Sequence, residues 1–358
     1  MLPPLVEPVT ALSDAEQVRT ARHLRLAGLG PDGQRRIAAA RVGVIGAGGL
    51  GSPVILALAA AGVGEIVVFD DDVVDTSNLQ RQIIHRRQDV GRPKTDSAQR
   101  VVSERSETRV RVVGTRLDHD NAASLLADVD LVLDGTDSFE SREVVAAACE
   151  RLEVPLVWGT VQEFAGLVTV FWSAPPPPAE PVRLRDLYPS GSEAPACSAV
   201  GVLGPLCLQV GALMSTEAVK LITGIGRPLL GRVALIDALA GTQREAPLRA
   251  NRAADAPAAP AAVVPEVDEP GDDIVIDVRE AFELESGMLA GARHVPLATL
   301  LADVDDVARD LAGHRAVLVC QVGMRALTAA RALHAAGADV TVLRGGMDGL
   351  DARRKERA

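Results

Sequence analysis

A cysteine that closes an apolar run and is followed by glycine and arginine is a combination able to carry sulfur. Arg315-Ala-Val-Leu-Val-Cys320 reads as a buried strand, and Gln321-Val-Gly-Met-Arg325 turns it into a helix running to about Ala336. A thiol at such a turn faces backbone amides and the partly positive helix N-terminus, which stabilise a thiolate or persulfide anion. Arg325 adds a full positive charge nearby. The competing reading of Cys320 is a buried cysteine at a strand end.

A second group suits phosphate. Residues 41–51 read Arg-Val-Gly-Val-Ile-Gly-Ala-Gly-Gly-Leu-Gly, and Gly46, Gly48 and Gly51 hold the G-x-G-x-x-G spacing, with Gly49 inside it. A side chain at the first glycine blocks the turn, and one at the second keeps the backbone amides away from a pyrophosphate. Asp70 ends the next strand, about where a carboxylate grips a ribose; its plainer reading is a cap or turn residue. Asn78, Arg81 and Lys94 follow. A dinucleotide dehydrogenase needs no such cluster, whereas a carboxylate attacking a triphosphate needs its like charges neutralised. Asp137 ends Val129-Asp-Leu-Val-Leu-Asp-Gly-Thr-Asp137 and, as a hard oxygen donor, suits magnesium; otherwise it caps the helix expected over 140–152.

The elements that position these residues are alternating strands and helices, predicting an α/β chain with a doubly wound, Rossmann-like sheet and a smaller second α/β domain. Strands are expected over 65–70, 109–117, 129–137, 154–161, 166–172 and 231–237, with helices over 52–61 and 206–223. Ser13-Asp-Ala-Glu16 starts a helix that carries Arg19 and Arg22 on one face. Residues 246–271, rich in Ala, Pro, Asp and Glu, read as a linker between domains at 10–245 and 272–351. With 358 residues and a formal charge of −11, the chain offers no basic block for nucleic acid or an anionic membrane. Met1-Leu-Pro-Pro-Leu5 has no export-signal character, and scattered Cys149, Cys197, Cys207 and Cys320 suit a reducing cytoplasm. Cys149 and Cys207 sit in apolar helical runs and read as core residues.

Gly46–Gly51, Asp70, Ser77-Asn-Leu-Gln-Arg-Gln82, Lys94 and Thr136-Asp137, in this order, resemble the ubiquitin-activating superfamily, in particular its MoeB/ThiF-type adenylyltransferases acting on sulfur-carrier proteins. The resemblance implies attack by the C-terminal glycine carboxylate of a small ubiquitin-like protein, ending in Gly-Gly, on the α-phosphate of MgATP. It places Asp70 on the ribose, Arg81 and Lys94 on phosphates, and Asp137 on magnesium or the adenylate. Arg22 matches an N-terminal arginine that reaches the ATP of the other subunit in a homodimer. Cys197, in a proline-rich stretch at 173–200, matches a crossover-loop cysteine that serves as nucleophile or resolving thiol, or is unreactive. Ser138 departs from the family's usual asparagine.

Asp277-Val-Arg-Glu280, Gly291-Ala-Arg-His-Val-Pro296, the C-x-x-G-x-R at 320–325 and Gly345-Gly-Met347 resemble a rhodanese domain, which places a persulfide on Cys320. Gln321 and Ala326 depart from the family's loop. Relatives carry two C-x-x-C pairs for a structural zinc; here the first aligns with Arg183 and Asp186 and the second falls at 251–256, without cysteine, so no zinc is expected. The combined expectation is adenylation of a sulfur carrier followed by sulfur transfer to a thiocarboxylate, with a cysteine desulfurase or thiosulfate as sulfur source. Three alternatives stay open: a nicotinamide oxidoreductase, a conjugation-type activator forming a thioester on Cys197, and a non-catalytic carrier-binding scaffold.

Overall fold

The computed structural model describes residues 2–188, 201–250, 264–271 and 273–356. They form two compact units, the first holding residues up to 250 and the second those from 264 onward. Cys197 and positions 251–256 lie outside the described residues.

The first unit is an eight-stranded sheet: β1 Arg41–Ile45, β2 Glu65–Phe69, β3 Arg109–Val113, β4 Leu131–Asp134, β5 Leu156–Gln162, β6 Ala165–Phe171, β7 Arg232–Asp237 and β8 Thr242–Pro247. Their spatial order is β3-β2-β1-β4-β5-β6-β7-β8. The first five strands are parallel and the last three extend the sheet in antiparallel fashion. The parallel strands are Val/Leu/Ile-rich because helices cover both faces. Chain order reverses between β1 and its neighbours β2 and β4, so the crevice beyond their C-terminal ends is the natural ligand position. Ile45 pairs with Phe69 and with Asp134, which brings the glycine turn, Asp70 and the Asp134–Asp137 loop to one edge.

Helix Gly204–Thr223 is the one described helix long and apolar enough to cross a membrane, yet 61% of its apolar window is buried within the unit. It packs on β5 and β6 and on helix Gly51–Ala61. Cys207 and Cys149 are buried in the core, as their apolar surroundings predict.

The second unit contains β9 Glu266–Val267, β10 Ile274–Asp277, β11 Arg293–His294, β12 Arg315–Val319 and β13 Asp339–Leu343. They form an all-parallel sheet in the order β11-β10-β12-β13-β9.

Three sequence expectations need correction. The N-terminal helix is two pieces, Asp14–Arg19 and Ala21–Leu24, because the chain leaves helical geometry at Thr20; Arg19 pairs with Glu16, and Arg22 is exposed on the second piece. The linker is shorter than 246–271. Its first residues finish β8 and bury Leu248, and its last supply buried Val264 and the edge strand β9. Residues 273 onward therefore do not complete the second sheet alone.

Candidate active sites

The glycine turn leaves β1 with Gly46 in a left-handed conformation, φ 85°, its amide donating to the Phe69 carbonyl at 2.8 Å. A Cβ on Gly51 would lie 1.8 Å from the Gly46 carbonyl oxygen, so the third glycine is required by close backbone approach. The Ala47 peptide is fixed from both sides. Asp70 Oδ2 accepts from its amide at 2.6 Å, while Ser52 Oγ and His85 Nε2 meet its carbonyl, each at 3.1 Å. Since a carbonyl only accepts, His85 Nε2 carries the proton and Nδ1 is a bare acceptor, buried without a partner. Burial pushes the His85 imidazole below its ordinary pKa, and burial raises the Asp70 carboxyl.

Around this turn stand most of the expected residues. The Arg81 stem lies 3.5 Å from the Cβ position of Gly49, and Gln82 Nε2 lies 3.7 Å from that of Gly48. Apart from chain neighbours, nothing else lies within 4 Å of that Cβ position, so the turn is open on this side. Lys94 is buried and its Nζ donates to Asp72 Oδ2 at 2.7 Å, a partner whose side chain is 69% exposed and easily exchanged for another anion. Asn78 is occupied differently: its side-chain oxygen accepts from the Asp75 amide and caps the short turn at Thr76–Asn78. Asp70 is both a turn residue and a ribose candidate, since its two oxygens accept from Ala47 and Asp72 amides and keep further lone pairs.

Gly135 carries the Asp137 loop against the turn, with its Cβ position 2.5 Å from Leu50 Cβ. Arg142, buried over the Trp158 ring, holds that loop through the Thr136 carbonyl and also reaches Thr160 Oγ1. Ser138, not Asp137, caps helix Phe139–Leu152, by accepting from the Ser141 amide at 3.1 Å. Asp137 is exposed and makes no hydrogen bond or ion pair among the described residues, which leaves its oxygens available to a hard cation. Arg22 is not brought to this turn. Its neighbour His23 bonds Gln34, which bonds the Ala61 carbonyl at the far end of helix Gly51–Ala61, about 15 Å along the axis.

In the second unit Cys320 follows β12 and is fully buried. Its Sγ accepts from the Gly323 amide at 3.2 Å and lies 3.5 Å from that of Ala326, so the loop amides do converge on the sulfur. The loop carbonyls point the other way: Cys320 and Gln321 oxygens accept from Met347 and Asp348 at the start of helix Gly346–Glu356. Arg325 forms a two-pronged pair with Glu283, Nη1 to Oε2 at 2.6 Å and Nη2 to Oε1 at 2.5 Å. The Arg325 hydrogen bonds hold the Glu283 carboxyl below its usual range. Behind them Arg279 is buried on Asp277, donates to the Gly287 carbonyl, and reaches Gln321 Oε1 at 3.0 Å. Gln321 in turn donates to Asp348.

Residues 20–258 match the ThiF family and residues 262–353 match the rhodanese-like domain. The chain belongs to the ThiF family. A probable adenylyltransferase/sulfurtransferase MoeZ of Mycobacterium tuberculosis is 42% identical, covering 97% of this chain and 95% of the relative. The SAMP-activating enzyme E1 of Haloferax volcanii is 41% identical over 68% of this chain and 90% of its own length. A crystal structure of Escherichia coli MccB superposes with a TM-score of 0.57 at 22% identity, over 66% of this chain and 73% of MccB, and shows the shared fold.

Within this ThiF-family chain, sequence reasoning missed His85 at the first site and Glu283 at the second, and quoted Gln82 and Arg279 as motif residues without giving either a role. His85 had only a weak signal, a histidine three residues after Gln82 and separated from it by Ile83 and Ile84. Glu283 had none, lying in an acidic stretch that reads as solvated surface. The aligned position of the first zinc pair is a short capped turn, with the Arg183 amide donating to Asp186 and both Arg183 and Arg185 near Glu150.

Proposed function

We propose that the chain adenylates the C-terminal glycine of a small ubiquitin-like sulfur carrier and then delivers sulfur from a Cys320 persulfide, leaving a thiocarboxylate. The chain is an enzyme of the adenylyltransferase and sulfurtransferase kind. The observation that carries the finer reading is the pairing, in one chain, of an open phosphate turn with a sulfur held by loop amides.

In the first half-reaction a carboxylate oxygen attacks the α-phosphorus of ATP and pyrophosphate leaves. Gly48 and Gly49 amides receive phosphate oxygens, while Arg81 and Lys94 neutralise charge as it develops, Lys94 exchanging Asp72 for phosphate. Asp70 takes the ribose, and Asp137 would hold magnesium, which would supply positive charge against the phosphates. Arg22 then serves the nucleotide of a second copy in a homodimer, in keeping with its distance from its own turn.

In the second half-reaction the outer persulfide sulfur attacks the acyl carbon and AMP leaves. A resolving thiol, for which Cys197 is the candidate, releases the thiocarboxylate by forming a disulfide with Cys320 that an external thiol reopens. A tail can reach Cys320 only when the loop above it parts, because the thiol is buried at rest. A cysteine desulfurase or thiosulfate supplies the sulfur, and the reducing cytoplasm keeps the thiols available.

Mass spectrometry of the carrier after incubation with ATP and a sulfur source tests this. Wild-type protein is expected to convert the carrier to a thiocarboxylate. Cys320→Ala should abolish that product and leave ATP–pyrophosphate exchange intact, whereas Asp137→Ala should lower exchange on the order of a hundredfold. Full thiocarboxylation by the Cys320 variant removes that cysteine from the mechanism.

A further inference from the structure

Arg325 is the only cation positioned to greet an anion at Cys320 among the described residues of this loop, and it is already committed. Both arms of its guanidinium fork close on the two oxygens of Glu283, with the arginine side chain 8% and the glutamate 19% exposed. Arg279, the next guanidinium, is buried on Asp277 and on the loop itself. Two carboxylates also flank the loop: exposed Glu280, and Asp348 held by Gln321. A thiosulfate dianion arriving here finds no open fork and meets like charge.

The surface beside the loop is apolar. Phe282, next to Glu283, is 73% exposed, and Met288 and Val322 are exposed next to Gly287 and Gln321, both hydrogen-bonded to Arg279. Exposed apolar groups around a functional loop mark a surface that another protein covers.

We propose that Glu283 is a specificity-determining residue: by occupying Arg325 it turns Cys320 away from thiosulfate and toward a cysteine persulfide presented on another protein. This rests on the reading that Cys320 carries sulfur. The Cys320 thiolate attacks the outer sulfur of the donor persulfide, a new S–S bond forms, and the donor cysteine leaves as thiolate, with no net oxidation. Attack on thiosulfate would instead release sulfite, and its oxygens need the fork that Glu283 holds.

The test measures persulfide on Cys320 by mass spectrometry in the full chain, with thiosulfate or with a cysteine desulfurase charged with cysteine. Wild type is expected to load from the desulfurase and at least about tenfold more slowly from thiosulfate. Glu283→Gln should raise the thiosulfate rate about tenfold or more relative to the desulfurase rate, and adding Arg325→Ala should remove that gain. In the unaltered protein, millimolar inorganic sulfate should not slow loading from the desulfurase. An unchanged donor ratio in Glu283→Gln, or inhibition of the wild type by sulfate, overturns the role of Glu283 while leaving Cys320 as the sulfur carrier. No label on Cys320 from either donor overturns both.

Discussion

The glycine turn and the cysteine loop use the same device, backbone amides gathered where a parallel strand gives way to a helix, but they are finished differently. At the glycine turn the functional side chains are spent loosely or not at all. Asp137 has no partner among the described residues, Lys94 leans on a well-exposed Asp72, and His85 and Gln82 each keep a buried atom unsatisfied. At the cysteine loop the buried charges are paired: Asp277 with Arg279 and Glu283 with Arg325, while Gln321 spans Arg279 and Asp348. Unmet hydrogen-bonding capacity at the first site marks the place for a highly charged small molecule. Internal satisfaction at the second means that a partner must displace something before chemistry begins.

The contrast is most sharply broken by Gly51→Ala. A methyl group 1.8 Å from the Gly46 oxygen cannot be accommodated without moving the turn, so pyrophosphate exchange should fall to background while Cys320 still accepts sulfur. Loss of both activities would mean that the two units do not act independently. Next in size is Arg279→Met. Removing one member of a buried pair leaves Asp277 an uncompensated buried charge, a cost of about 3–5 kcal/mol. Both tryptophans, Trp158 and Trp172, lie in the first unit, so their fluorescence should be unchanged while limited proteolysis cuts the second unit faster.

The smallest effect concerns His85. His85→Phe removes its bond to the Ala47 carbonyl, worth about 1 kcal/mol. Because burial depresses the folded pKa below the unfolded value of about 6.5, the unfolded chain binds more protons under acid conditions. The stabilisation is therefore complete above that pH and is lost as pH falls through the folded pKa. Tryptophan-detected melting should show the variant less stable than wild type at pH 8, with the gap closing toward pH 5. A constant gap would show that His85 is not neutral in the fold.

Much of the first site was legible because its parts are local. A glycine spacing, a strand-end carboxylate and the string 77–82 announce a phosphate turn before any contact is known, and the Arg81 stem does lie against that turn, 3.5 Å from the Cβ position of Gly49. What the sequence left obscure depends on partners distant in the chain. The sequence offers Asp137 as the cap of helix Phe139–Leu152, and the backbone gives that place to Ser138. The embrace of Arg325 by Glu283 joins residues on different elements, and nothing in the spacing of either marks the other. Edge strand β9 escaped because two residues in an Ala/Pro-rich stretch carry no periodicity; only pairing with β13 makes them a strand.

The single carboxylate within helix Gly204–Thr223 has a bearing on how the chain is made. Glu217 is wholly buried and is satisfied by Lys220 and by the amide of Leu229, six residues past the helix end. A nascent polypeptide that ends before Leu229 thus carries an apolar helix in which Glu217 has Lys220 but lacks its backbone donor, and that helix cannot settle onto β5 and β6 at full strength. The sheet itself is completed only after β7 and β8 have followed Leu229 out of the ribosome, so a stop codon placed just short of Leu229 should yield aggregate rather than a trimmed domain.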